Sequence, residues 1–504
     1  MVKSQYSGVR LNGQKRKTGG SERRNIETEM RDDRRYQHFL DRDPAYDGKF
    51  LTGVLSTGIY CLPSCPARRP KRENVRFFRT PEEARRSGLR PCRRCHPDWF
   101  YRGEEWYENL FERTAACVRG NPAAFPDIAA ICRTAGISRT ALNDLFREHA
   151  HESPAAFLRR VRIEHVCRLL KDGAKPGDAA EGAGFESTSA FHQQFLIRTG
   201  MTPGGFAGLR NAREFALRLP SGYRIQDVLD FYGRDPESVS EQVSANGLRK
   251  ALMIDGEPAL IEISFGAEAA SVHVDGASAF RAHHAAVRML GLEWDASGFE
   301  RQFGEDPLLG ALLKRQRGLR IPMTPEPWEA LAWAIVGQQI SVKAAVALRR
   351  ELILAFGRRH ASGLRAHPDA NAVARLDADT LRRLKFSRSK AEYLIAAAQA
   401  VIGSDLDLLK LRELSAKHAA RLIGGVRGVG PWTIQYVFLR GLGFADCLPA
   451  GDAGLARGLE RLNGERPGEP EVREKMSRFA PYRSFATYHV WASLKANGES
   501  TNAF

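Results

Sequence analysis

The chain has 504 residues, 43% of them hydrophobic, and a formal net charge of +17 at pH 7. That length exceeds one ordinary core and implies about three domains or more. The charge fits a polyanionic partner, either nucleic acid or a membrane surface, and no apolar run is long enough to span a bilayer. The amino terminus lacks a secretory h-region. Cys117, Cys132, Cys167 and Cys447 are scattered in apparent helices, against a disulfide framework and for a reducing cytoplasm. DNA is the expected partner, without a membrane, and a monomer the expected state. Residues 1–35, polar and rich in Arg, Lys and Gly, read as a disordered basic tail.

The next stretch gathers the other four cysteines, in Cys61-Leu-Pro-Ser-Cys65 and Cys92-Arg-Arg-Cys95. Two close pairs separated by a basic loop suit a tetrahedral zinc with four thiolates, and on spacing alone an inert zinc ribbon satisfies them. The surrounding residues, Ser56-Thr-Gly-Ile-Tyr before Cys61 and Glu73-Asn-Val-Arg-Phe-Phe and Arg90-Pro after it, resemble the amino-terminal domain of the Ada DNA-alkylation-repair family. That resemblance covers residues 36–101. It implies that Cys61 accepts a methyl group from a DNA phosphotriester while Cys61, Cys65, Cys92 and Cys95 bind Zn²⁺. Leu62 stands where the family usually has Arg, and Arg68, Arg69 and Arg72 are candidates to replace its charge.

From residue 105 to 208 the pattern turns helical. Asp127 to Phe146 reads as helix, glycine turn at Gly136, then a second helix with Ser138 as N-cap and Leu142, Leu145 and Phe146 on one face. A similar unit follows around Gly184, Ser187 and Ser189. A plain helical linker fits this layout, as does a DNA-reading helix-turn-helix pair. The trailing Gly200-Met-Thr-Pro203 and His151-Glu-Ser-Pro154 complete a resemblance to the AraC-type regulator domain. The resemblance implies DNA contacts near Ser138, Arg139, Ser187 and Ser189 and, for a regulator, RNA polymerase as a partner. Asp144 and Gln193 occupy positions where that family often has Arg.

Residues 213–324 open with short alternating segments, Glu214-Phe-Ala-Leu-Arg-Leu and Leu260-Ile-Glu-Ile-Ser, expected as strands of an antiparallel sheet with helices after Ala277. Residues 325–497 are helical again and contain Gly428-Val-Gly430-Pro-Trp432. The two glycines suit a hairpin that lets backbone amides approach a phosphate. Downstream, Asp452 follows Pro449-Ala-Gly, where a plain helix N-cap is one reading. Hairpin and Pro-x-Gly-Asp together, with Ala334-Ile-Val-Gly-Gln338-Gln339 and Tyr482 to Trp491, resemble the AlkA group of 3-methyladenine DNA glycosylases II. The resemblance implies Asp452 as catalytic carboxylate, Trp432, Tyr436 and Trp491 as the base pocket, and Gln339 as the wedge into the stack. It implies phosphate binding at Gly428 and Gly430, and a monovalent cation on the carbonyls of Gly424, Val426 and Gly428. Trp432 stands where strand-cutting relatives carry a Schiff-base Lys, so the expected enzyme is a monofunctional hydrolase. Ala453 stands where some relatives have an aromatic residue.

The expected fold is thus multidomain, mainly α with α+β parts: zinc domain, double helix-turn-helix, small antiparallel-sheet domain and helix-hairpin-helix domain. The expected function is repair of alkylated DNA with transcription regulation, the alternative being a regulator whose glycosylase part only binds damaged DNA.

Overall fold

The computed structural model describes residues 32–102 and 106–495 and falls into two units, Met1–Asn109 and Leu110–Phe504. Residues 1–31 of the expected tail lie outside the described residues. Residues 32–35 correct that expectation, because they belong to a helix, α1, spanning residues 32–40. Phe39 on α1 is buried, so the apolar residue just past the basic stretch recruits these residues into structure.

The first unit is a four-stranded sheet in the order β3-β1-β2-β4, formed by β1 (Leu51–Val54), β2 (Ile59–Cys61), β3 (Val75–Phe78) and β4 (Arg90–Pro91). Only the β2–β4 pair is parallel. Helices α2 (Pro81–Arg86), capped by Thr80, and α3 (Pro97–Tyr101) complete it. Every residue of β1 is buried, and Gly53 there is required by close approach, since a Cβ would lie 2.5 Å from both Leu89 and Phe78. The main apolar cluster is small, Leu51, Tyr60, Leu62, Ala84 and Leu89, with Phe39, Phe50, Val54 and Val75 buried around it.

Helix α4 (Trp106–Gly120) leads into the helix-turn-helix region. Asp127 caps α5 (Ile128–Ala135), Gly136 turns the chain at φ +67°, and Ser138 caps α6 (Arg139–Ala150), whose Leu142, Leu145 and Phe146 are buried together. The long α7 (Pro154–Asp172) connects to α8 (Pro176–Gly182), α9 (Thr188–Thr199) and α10 (Pro203–Gly208).

The sheet that follows is antiparallel in the order β5-β9-β8-β7-β6, from β5 (Glu214–Arg218), β6 (Glu241–Ser244), β7 (Gly247–Ile254), β8 (Glu257–Phe265) and β9 (Ala269–Asp275). Strand β5 buries Phe215 and Leu217 and exposes the residues between, the period expected of a half-buried strand. Helices α11 (Ile225–Tyr232) and α12 (Ala279–Met289) pack with it.

The hydrophobic cores do not follow the segment boundaries suggested by sequence. Phe191, Phe195 and Phe206 of the second helix-turn-helix unit share one core with Leu217, Ile261 and Val272 of the sheet. Arg218 N donates to Gly200 O at 2.8 Å, and the His283 ring meets Thr199 O at 2.7 Å. Likewise α13 (Ser297–Phe303) and α14 (Gly310–Arg315) bury Phe299, Leu312 and Leu313 in the carboxy-terminal helical core. That core is built from α15 (Pro327–Gly337), α16 (Val342–Phe356), α17 (Ala370–Ala374), α18 (Ala378–Arg383), α19 (Arg388–Ile402), α20 (Ala416–Gly424), α21 (Pro431–Val437), α22 (Ala453–Asn463), α23 (Glu469–Ser477) and α24 (Arg483–Lys495). Helix α15 is buried along its whole length, and its single charged residue, Glu329, is ion-paired with Lys250 at 3.1 Å. Among the described residues, no helix is long and apolar enough to cross a membrane.

Candidate functional sites

In the first unit the four cysteine sulfurs all lie within 4.8 Å of one another. Four sulfurs around one Zn²⁺ at the usual bond length lie about 3.8 Å apart, and Cys65 Sγ stands 4.0 Å from Cys92 Sγ. An all-sulfur donor set of this size fits zinc. The loop carrying the first pair is pinned by Asp47, which accepts from Ser64 N at 3.0 Å and from Ser64 Oγ at 2.5 Å. Backbone amides of Leu62 and Arg94 donate to Cys95 Sγ (3.3 Å) and Cys92 Sγ (3.4 Å), tempering the charge of a thiolate cluster. Cys61 is 4% exposed, and Cys95 is the most open of the four. Of the three arginines expected to replace a charge at Leu62, Arg69 reaches the loop of the first cysteine pair, donating to Pro63 O at 3.2 Å. Burial lowers its pKa, the charge of Cys65, Cys61 and Cys95 opposes that fall, and its guanidinium lies 4.0 Å over the Phe39 ring. Arg72 instead pairs with Asp33 at 3.3 Å.

In the second unit, Asp452 sits at the N-cap of α22, and Oδ1 accepts from Leu455 N at 2.7 Å. The cap does not exhaust it. Trp491 Nε1 donates to Oδ1 at 2.9 Å and Trp432 Nε1 to Oδ2 at 3.0 Å. The carboxylate is 4% exposed, and burial pushes its pKa above the ordinary aspartate value, against the opposing pull of those hydrogen bonds. Trp432 stacks on Tyr436 with ring centroids 5.4 Å apart. The expected pocket residues Trp432, Tyr436 and Trp491 therefore meet around Asp452, although they come from α21 and α24.

The supporting residues were not singled out in sequence. Arg483 grips Asp446 with two hydrogen bonds of 2.7 Å, Cys447 N donates to Ser484 Oγ at 2.9 Å, and Leu448 N donates to Gln435 Oε1 at 2.8 Å. Together they fix the loop that delivers Asp452. Behind Trp491, the buried Arg440 places its guanidinium 5.8 Å from that ring and 4.7 Å from Tyr488.

The hairpin between α20 and α21 has Gly428 at φ +85°, where a Cβ would fall 2.2 Å from the Tyr393 ring. Gly430 differs: its φ is −97° and nothing lies within 4 Å of a Cβ there. The open space in front of Gly430, rather than its conformation, suits close approach of a ligand. The carbonyl of Val426 accepts from Val429 N at 3.0 Å, and that of Gly428 from Gln338 Nε2 at 2.9 Å. Two of the three carbonyls expected to hold a monovalent cation are thus already engaged, and nothing in this geometry supports that ion.

Gln339 is exposed at the end of α15 with φ +57°, a conformation unusual for a residue with a side chain. Lys390 Nζ, buried beneath it, donates to Val336 O at 2.6 Å and also to Gln338 O; burial lowers Lys390 to about 8. In the helix-turn-helix region, Ser138 and Ser187 each use Oγ to cap their helix at 3.3 Å, while Arg139 and Ser189 are exposed on the first turns.

Comparison with known proteins matches three parts of the chain. The metal binding domain of Ada fits residues 34–98, a helix-turn-helix domain residues 131–208, and the HhH-GPD superfamily base excision DNA repair protein residues 332–481. A Mycobacterium tuberculosis protein named "Probable bifunctional transcriptional activator/DNA repair enzyme AlkA" is 28% identical over 92% of this chain and 97% of its own length. The DNA-3-methyladenine glycosylase of Bacillus subtilis is 31% identical over 40% of this chain and 69% of its own. The structure of a 3-methyladenine DNA-glycosylase from Archaeoglobus fulgidus shares the fold over 56% of this chain and 99% of its own, with a TM-score of 0.51 at 23% identity. The chain belongs to the HhH-GPD superfamily of base excision DNA repair proteins, carrying in addition the zinc-binding domain of Ada and an AraC-type helix-turn-helix region.

Proposed function

We propose that the second unit excises alkylated bases such as 3-methyladenine from duplex DNA, and that the first removes methyl groups from DNA phosphotriesters. The buried Asp452 between two indole N–H donors carries the first reading. An alkylated purine is cationic and leaves readily, so the chemistry needs stabilisation of positive charge developing on the sugar and a held water. Asp452 supplies a carboxylate for both: the glycosidic electron pair departs with the base, water adds at the sugar carbon, and the proton that water loses passes to Asp452. The half-buried Trp432 is the ring best placed to meet a flipped cationic base, with the buried Tyr436 and Trp491 packed behind it. Gln339, exposed at the turn after α15, fills the gap left in the stack.

For the first unit the donor set carries the reading. Zn²⁺ bound by four cysteines keeps them as thiolates. The Cys61 sulfur attacks the methyl carbon, an S–C bond forms, and the C–O electron pair leaves with the phosphate oxygen. The helix-turn-helix region binds DNA and serves regulation. Incubating the protein with methylated duplex tests both activities: 3-methyladenine is released, and the peptide containing Cys61 gains one methyl mass. Absence of base release would leave a regulator whose second unit only binds damage, and an unmodified Cys61 would reduce the first unit to a zinc-stabilised DNA tether.

The two hairpin glycines are expected to separate under substitution. Gly430→Ala keeps the melting temperature but weakens binding to duplex DNA severalfold, because its methyl group fills the approach path. Gly428→Ala lowers stability by roughly 2–4 kcal/mol through the positive φ and the clash with Tyr393. Thermal melts with binding titrations check both, and equal melting temperatures for the two variants would contradict the assignment.

A further inference from the structure

The hairpin's first helix, α20, has nine residues and begins at Ser415, whose Oγ caps it by accepting from His418 N at 3.0 Å. So short a helix is marginal alone and depends on tertiary contacts to fix its axis. A notable set of those contacts comes from the helix-turn-helix region. Glu112 on α4 accepts with one oxygen, Oε1, from Ser415 N at 3.0 Å and from His418 Nδ1 at 2.8 Å. Its charge therefore sits at the positive end of α20. Two turns further along α4, Arg119 donates to the carbonyls of Glu413 (2.8 Å) and Arg412 (3.5 Å). An acid and a base on one face of α4 thus hold the two sides of residues 412–418. Glu148 on α6 adds an ion pair to Lys417 in the first turn of α20.

We propose that α4 is a working part of the hairpin's grip on DNA, with Glu112 and Arg119 as positioning residues that set where α20 starts. The inference rests on the hairpin binding DNA as read above. None of these side chains touches Asp452 or its aromatic neighbours, so the effect falls on binding rather than on the chemical step. A helix that belongs to the regulator region then couples it to excision, and by linkage each DNA-binding event alters the affinity of the other.

Full-length Glu112→Ala and Arg119→Ala, with solvent-facing Cys117→Ser on the same helix as control, are compared with wild type in base release from methylated duplex. KM is expected to rise roughly tenfold, the scale of a lost hydrogen bond to a charged group, with kcat held and Cys117→Ser like wild type. Glu112→Gln, which keeps an acceptor for Ser415 N, should recover most of the loss. This recovery separates positioning from loss of fold. An unchanged KM, or a joint fall of kcat and melting temperature not relieved by Glu112→Gln, overturns the proposal. Binding of the same proteins to a duplex with an abasic-site analogue distinguishes the two failures. Without base release by wild type the excision reading falls, whereas the positioning role falls if the variants bind that duplex as wild type does.

Discussion

Asp452→Asn is expected to lower base release by roughly a hundredfold or more while changing the melting temperature little. The substitution removes the charge that the leaving base requires but keeps a good N-cap for α22. Two stability effects oppose each other. Burial raises the Asp452 pKa, so the native state holds its proton more tightly than the unfolded chain. Stability therefore falls as pH rises from the ordinary aspartate value through the raised one, and at neutral pH the buried charge destabilises the fold. Asparagine relieves that cost but offers an N–H where Trp432 Nε1 donates. For the wild type, the acid limb of the rate profile should lie above the ordinary aspartate range, with activity lost as pH falls through it. Initial rates against pH, with melts of both proteins, check this; an acid limb at ordinary aspartate pKa would contradict the buried carboxylate as the group in action.

Removing zinc should unfold the first unit and leave melting of the second unit unchanged. With Leu51, Tyr60, Leu62, Ala84 and Leu89 as its main buried cluster, the first unit has too little apolar burial to hold four strands unaided. Structural zinc sites contribute on the order of 10 kcal/mol to folding at neutral pH. Chelation, or Cys65→Ala, should therefore abolish the first unit's protection from proteolysis. Cys61→Ser should retain more of the fold and lose methyl uptake. Limited proteolysis and mass spectrometry of the digests read out both, and an intact first unit in excess chelator would refute the structural role of the metal.

Wherever the physics is local, it was legible in the chain. The cysteine spacing brought four sulfurs together, Ser138 caps the helix it precedes, and alternation along Glu214–Arg218 became a strand with Phe215 and Leu217 inside. Family resemblance, rather than periodicity, pointed to Asp452 and its three aromatic neighbours. The two glycines of the hairpin looked equivalent in sequence and are not, because only Gly428 meets a side chain, Tyr393, from another helix.

The sequence by itself determined ligand spacing, caps, strand alternation and turn chemistry, since each depends on residues a few positions apart. Tertiary structure alone decided that the indoles of Trp432 and Trp491 close over Asp452 from 20 and 39 residues away, and that Lys390 and Gln338 hold the turn at Gln339. It also decided that the second helix-turn-helix unit shares its core with the following sheet. The physical reason is common to all of these. Burial and long-range hydrogen bonds arise between surfaces that meet only after the helices have packed, and no periodicity along the chain records which surfaces those will be.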